Sequence, residues 1–156
     1  MSHTDITNIT LDERTIVRRN ADIEHERKVA IFDLLEENHF TLSSGKPGPY
    51  DLILAVLENR LVMHVRDEGE IAIEDIRLDL RPFRRIVKDY FLVCESYFNA
   101  IKTSSPSQIE AIDMGRRSLH NEGSELMRER LVKRVEMDSN TARRLFTLVC
   151  VLHIRG

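Results

Sequence analysis

Cysteine is scarce in this chain of 156 residues: Cys94 and Cys150 are the only two. That is too few for a disulfide scaffold or a four-cysteine zinc site, so a reducing cytoplasm is the expected compartment. Long apolar runs are lacking as well. A membrane span needs ~20 apolar residues, whereas the longest nearly apolar stretch, Leu145 to Leu152, covers eight and includes Thr147. Met1-Ser2-His3-Thr4-Asp5 holds neither the basic nor the apolar part of a secretory signal, so none is expected. Nor is there a basic excess: 23 Lys and Arg stand against 26 Asp and Glu, for a formal net charge of −3. Binding to duplex nucleic acid draws on phosphate neutralisation, so bulk nucleic acid is not an expected partner.

What remains is 42% apolar and 31% charged, the balance of a folded, soluble chain, and residues 1–156 fit one globular domain. Ile6, Ile9 and Leu11 offer a short edge strand. From Asp22, a capping residue, Ile23, Ala30, Ile31, Leu34 and Leu35 recur at helical spacing as far as Asn38. Ser43-Ser44-Gly45-Lys46-Pro47-Gly48-Pro49 then breaks into a loop. Residues 50–80 read as a three-strand antiparallel meander with reversals at Glu58-Asn59 and Asp67-Glu68-Gly69. Its alternation slips between Ile73 and Ile76, which predicts a bulge at Glu74-Asp75.

The remainder reads as helix. Pro82 suits a first helical position, and a broad stripe follows from Phe83 through Val87, Phe91, Cys94 and Phe98 to Ile101. Ser105-Pro106-Ser107-Gln108 is a capping-box signature opening the next helix. Asn121-Glu122-Gly123-Ser124 is expected to bend or split it, because an internal glycine costs ~1 kcal/mol relative to alanine. Asp138 caps a last helix with Leu145, Leu148, Val149 and Leu152 inward. The expected fold class is α+β: a small antiparallel sheet of three to four strands packed against four to five helices. Its core is expected to hold Ile31, Leu34, Leu54, Val56, Phe83, Val87, Phe91, Leu148 and Leu152.

Motifs for chemistry are sparse. No two histidines are four apart, as a helical zinc motif would place them, and no metal site is expected. Gly45-Lys46-Pro47-Gly48 lacks the spacing and hydroxyl of a phosphate loop, no Gly-x-Ser-x-Gly occurs, and no cofactor is implied. Cys94 and Cys150 lie on apolar stripes as small hydrophobes. Two polar clusters stand out. Asp113, Arg116, Arg117, His120 and Ser124 share one helix, and Asp113, Arg117, His120 and Ser124 share one side of it. Such a set could bind an anion or move a proton. A solvated face, with Asp113 and Arg117 pairing for ~0.3–0.5 kcal/mol, is the favoured reading, since no second carboxylate or nucleophile must converge there. Arg84 and Arg85, with Arg81 and Lys88, gather at a helix start, where free N–H groups favour anions. Ion pairs with Asp75, Asp79 or Glu110 would explain them as well.

Four segments carry a likeness beyond single motifs: IEHERKVAIFDLLEEN from Ile23, RPFRRIVKDYFLVCESYFNAI from Arg81, PSQIEAIDMGRRSLHNEGSELMRERL from Pro106 and TARRLFTLVCVLHIRG from Thr141. Over nearly its whole length the chain resembles an uncharacterised family of small bacterial proteins with a provisional family designation. The resemblance implies a bacterial cytoplasmic protein and carries over no activity, cofactor or site residue. The residues favour a small binding or regulatory module acting through Arg/Glu-rich helical surfaces. A protein partner or self-association is then expected rather than a small molecule or a membrane. The alternative is a small enzyme or anionic-ligand-binding protein using Asp113, Arg117 and His120, with Arg84 and Arg85 across a cleft.

Overall fold

Aliphatic residues at alternate positions build the sheet. In the computed structural model, which describes residues 5–12 and 21–153, β1 (Ile6–Leu11) is followed by α1 (Ala21–Glu36) and a short β2 (Phe40–Leu42). β3 (Tyr50–Leu57), β4 (Arg60–Arg66) and β5 (Ala72–Asp79) come next. A 3-10 turn over Arg81–Phe83 leads into α2 (Arg84–Thr103), then α3 (Pro106–Leu131), β6 (Val135–Met137) and α4 (Ser139–His153). The capping role of Asp22 and the side chain of Ile23 lie outside the described residues.

The fold is α+β, but the four-stranded sheet is mixed rather than antiparallel. Its order is β1-β3-β4-β5, with β1 parallel to β3 and the other pairs antiparallel. Chain path is the cause. The long connection through α1 allows a parallel return, whereas tight reversals enforce antiparallel neighbours. Glu58 and Asn59 both take positive φ, 50° and 62°, which matches the twist of a two-residue hairpin. At the other reversal the Asp67 carboxylate accepts from the N–H groups of Gly69 and Ile71. The bulge is displaced by one residue from its expected place: Val65 pairs with Glu74 and Arg66 with Ala72, leaving Ile73 as the extra residue. Hydrophobic alternation locates a slip only to within the stretch from Ile73 to Ile76, and the pairing of β4 decides among these residues.

β2 and β6 have no counterpart in the sequence reading. Three residues each are too short for a periodicity, yet Phe40 pairs with Met137 and Leu42 with Val135. The outer edge of β5 is closed by side chains. Lys46 Nζ donates to the Ile73 carbonyl at 3.1 Å, and Arg134 Nη2 donates to the Asp75 carbonyl at 3.1 Å.

The inner sheet face packs Leu52, Leu54, Leu61, Met63, Ile76 and Leu78 into one continuous core with the helices. Leu34, Leu54, Val56, Phe83, Val87, Leu148 and Leu152 are buried in it as expected, while Ile31 and Phe91 are only partly buried at its margin. Pro82 sits inside the 3-10 turn, one step ahead of the α-helix proper. The α2 stripe is incomplete, because Ile101 stands 52% exposed at its far end. Asn38, buried just past α1, ties that helix to β1. Its Oδ1 accepts from Asp5 and Ile6 N–H, and its Nδ2 donates to the Ile6 and Leu34 carbonyls, all within 2.9 Å.

The capping box at Ser105 and Gln108 forms as expected, but α3 then runs unbroken through Asn121–Ser124. Gly123 is there for packing rather than for a bend. A Cβ at this position would lie 2.1 Å from Phe146 Cζ of α4. Replacing Gly123 with alanine should therefore destabilise the fold by roughly 1–3 kcal/mol through overpacking, despite its gain in helix propensity. Urea unfolding of Gly123→Ala, Phe146→Leu and the double variant checks this. The double variant should lose less than the two singles added together. A neutral or stabilising Gly123→Ala would show that the contact yields.

Candidate functional site

Asp138 starts α4 by accepting the Thr141 N–H on its carboxylate at 2.8 Å. With the helix phase set there, Asn140, Arg143, Arg144 and Thr147 fall at i, i+3, i+4 and i+7, along one face. Glu26, Val29, Ala30 and Asp33 repeat the same spacing on α1. The two faces enclose a cleft of about 310 Å³, with His120 of α3 as its remaining lining residue. The walls run antiparallel: His39, just beyond α1, donates its N–H to Thr141 Oγ1 at the start of α4. Arg144 Nη1 reaches the Glu37 carbonyl at 3.3 Å, so the arginine end of the cleft lies toward the C-terminal end of α1. Glu26 marks the opposite end, its Oε1 4.0 Å from Arg116 Nη1.

His120 is held by shape more than by charge. Its ring lies 5.4 Å from that of Tyr90 and 5.3 Å from that of Phe146, the latter edge-to-face at 82°. Nε2 is 2.7 Å from Thr147 Oγ1, and that hydroxyl donates in turn to the Arg143 carbonyl at 3.2 Å. One hydroxyl hydrogen cannot serve both contacts. With it on the carbonyl, Thr147 accepts from Nε2–H and the imidazole nitrogen Nδ1 carries a bare lone pair. Nδ1 is buried and has no hydrogen-bond partner. Burial, followed by the charges of Arg143 and Arg116, lowers the His120 pKa to about 4. The ring is therefore neutral at pH 7. Burial raises the pKa of Tyr90, Cys94 and Cys150, so these groups stay protonated too.

The other sequence-predicted residues do not line this cleft, although Arg116 borders it through Glu26. Asp113 takes Arg116 at 2.6 Å and Arg117 at 3.2 Å, a small ion-pair cluster on α3. Arg116 also lies over the Tyr97 ring, 4.2 Å from its centroid. Arg84 donates to Asn59 Oδ1 at 2.9 Å in the β3–β4 turn, and Arg85 is 3.7 Å from Asp89. Neither lines the His120 cleft, and neither do Asp113, Arg116 and Arg117. Ser124 turns inward and donates to the Asn121 carbonyl at 3.1 Å. The α4 and α1 residues of the cleft were not among the sequence candidates. The available signal was the polar set at i, i+3, i+4 and i+7 in an otherwise apolar last helix, with Thr147 interrupting its longest apolar run. Among the described residues no three His, Cys, Asp or Glu side chains come together as a metal would require, and no helix is long and apolar enough to cross a membrane.

The buried imidazole sets a pH dependence with a definite sign. Its folded pKa, about 4, lies below the unfolded value of 6.5. The unfolded chain therefore takes up the proton first as pH falls. The stabilisation is complete above pH 6.5, declines below it, and is gone once pH passes 4, a span worth roughly 3 kcal/mol. Urea midpoints of the wild type and His120→Gln, followed across that window, should converge as pH falls. Parallel curves would show that His120 titrates normally.

Comparison with known proteins places the chain among relatives of similar length. Residues 3–155 match the model of an uncharacterised protein family, UPF0262. A UPF0262 protein of Rhodospirillum rubrum is 58% identical over 151 residues, covering 97% of this chain and 93% of its own. One from Paramagnetospirillum magneticum is also 58% identical, covering 97% and 96%, and one from Caulobacter vibrioides is 54% identical, covering 97% and 94%. No solved structure matches. A family model spanning almost every residue, with relatives above half identity, shows that the chain belongs to the UPF0262 family.

Proposed function

We propose that the protein binds a small molecule bearing an anionic group in the cleft between α1, α3 and α4. The observation that carries this reading is Arg143. Its guanidinium lines a concave site beside a neutral histidine and has no carboxylate within ion-pair distance among the described residues. An arginine left without a partner at a cleft wall is suited to a carboxylate or phosphate, which it can grip with two parallel N–H bonds. Arg144 and Asn140 add donors on the same wall, and the Thr147 hydroxyl is a neutral hydrogen-bonding group beside them. We also place the protein in the cytoplasm, where the two buried free thiols of Cys94 and Cys150 would stay reduced.

A thermal-shift panel of carboxylates, phosphorylated metabolites and nucleotides tests the binding reading. A ligand at 100 times its Kd adds ~2.7 kcal/mol to the folded state, which raises the midpoint of a domain this size by roughly 5–10 °C. Arg143→Ala should abolish the shift while leaving the unliganded midpoint nearly unchanged, since the side chain is exposed. A flat panel, or a shift that survives the substitution, overturns the assignment.

A second reading, self-association, draws on exposed apolar side chains on the helices. Leu92 and Ile101 of α2 and Met114 of α3 each expose more than half of their surface. Burial of such residues against a second copy is the expected outcome if they form an interface. A strict monomer by light scattering at high micromolar concentration removes it.

A further inference from the structure

The two walls of the cleft carry opposite charge without neutralising each other. Arg143 and Arg144 project from α4, and Asp33 and Glu26 from α1. Asp33 lies one turn before Glu37, the residue whose carbonyl holds Arg144, so its carboxylate belongs to the arginine end of the cleft. Within the distance of an ion pair the two walls nevertheless do not meet. Among the described residues the Asp33 carboxylate accepts no hydrogen bond and forms no ion pair, and Arg143 is equally without a carboxylate. Glu26 differs, being drawn toward Arg116 at the other end.

This arrangement discriminates between ligands. A simple anion seated on Arg143 would face the uncompensated negative charge of Asp33 across the cleft. A molecule that also carries an ammonium group would satisfy both walls at once, with hydrogen bonds to charged partners at each end. The neutral imidazole of His120 leaves that balance to the α1 and α4 groups. The volume, about 310 Å³, lies at the small end of ligand pockets, which suits a small compound rather than a dinucleotide. We infer that the ligand is a small zwitterion, an amino-carboxylate or amino-phosphate, its anion on Arg143 and Arg144 and its ammonium on Asp33.

The inference rests on the cleft being a ligand site, and matched probes separate the two claims. β-Alanine, γ-aminobutyrate, δ-aminovalerate and phosphoethanolamine would be titrated into the full chain by amide-resolved NMR. Propionate, butyrate, valerate and ethyl phosphate, the same molecules without the amine, serve as partners. At least one amino compound should bind roughly tenfold more tightly than its partner, the scale of one charged hydrogen bond. Asp33→Asn, close to isosteric, should erase that ratio without weakening the simple anions. Arg143→Gln should weaken both members of the pair. If the simple anions bind as tightly as the amino compounds, or the ratio survives Asp33→Asn, the zwitterion inference fails and the cleft remains an anion site. If no probe moves the amide signals of Asn140, Arg143 or Thr147 at millimolar concentration, the ligand site itself fails, and the inference with it.

Discussion

The close approach of α3 and α4 at Gly123 is the constraint on which the cleft depends. With only hydrogen on Cα, the helix backbone accepts the edge of the Phe146 ring directly against it. The same ring then forms one side of the slot that holds His120, with Tyr90 on another. Thr147 follows Phe146 in sequence, so docking that ring also brings the hydroxyl to 2.7 Å from the imidazole. A single missing methyl thus sets the spacing of two helices, the orientation of a histidine and the position of its hydrogen-bond partner. It also explains why the imidazole is desolvated, and hence why it is neutral.

The other wall needs its own anchor, since α1 bears no glycine against α4. That anchor is polar. Asn38 uses both ends of its amide to join the end of α1 to the backbone of β1, satisfying groups that burial would otherwise leave unpaired. Thr141 takes the His39 N–H, and β2 pairs with β6 on the same side. The segment after α1 is therefore stitched to the sheet edge on one flank and to the entrance of α4 on the other. The opposed faces of α1 and α4 hold their separation through these contacts, and this lets unlike charges stand near one another without collapsing into pairs.

Much of the architecture could be read in the residues, because it rested on local chemistry. Ser105 and Gln108, Asp138, the Glu58-Asn59 reversal and the core positions of α4 each follow from a rule that acts over a few residues. The direction of β1 was not legible, since alternation inside one strand carries no information about its neighbour. Gly123 read as a breaker because propensity weighs a residue against its own helix, whereas its value here lies in a ring 23 positions away. The site was legible only in part. His120 drew attention by its type, but its companions on α3, Asp113 and Arg117, turn to each other on the surface. Those that share its cleft come from α1 and α4, and only tertiary packing unites them.

The treatment of β5 has a consequence for the life of the chain at high concentration. As the last strand of the sheet, it presents outward-facing backbone groups that another extended segment could join. Two of its carbonyls, at Ile73 and Asp75, are already engaged by Lys46 and Arg134. An incoming strand would have to displace both cations, one from the loop after β2 and one from the segment before β6. Those arms act as stoppers against fibril-like growth from this edge. They are 88 positions apart in the sequence, so the protection exists only once the chain has folded.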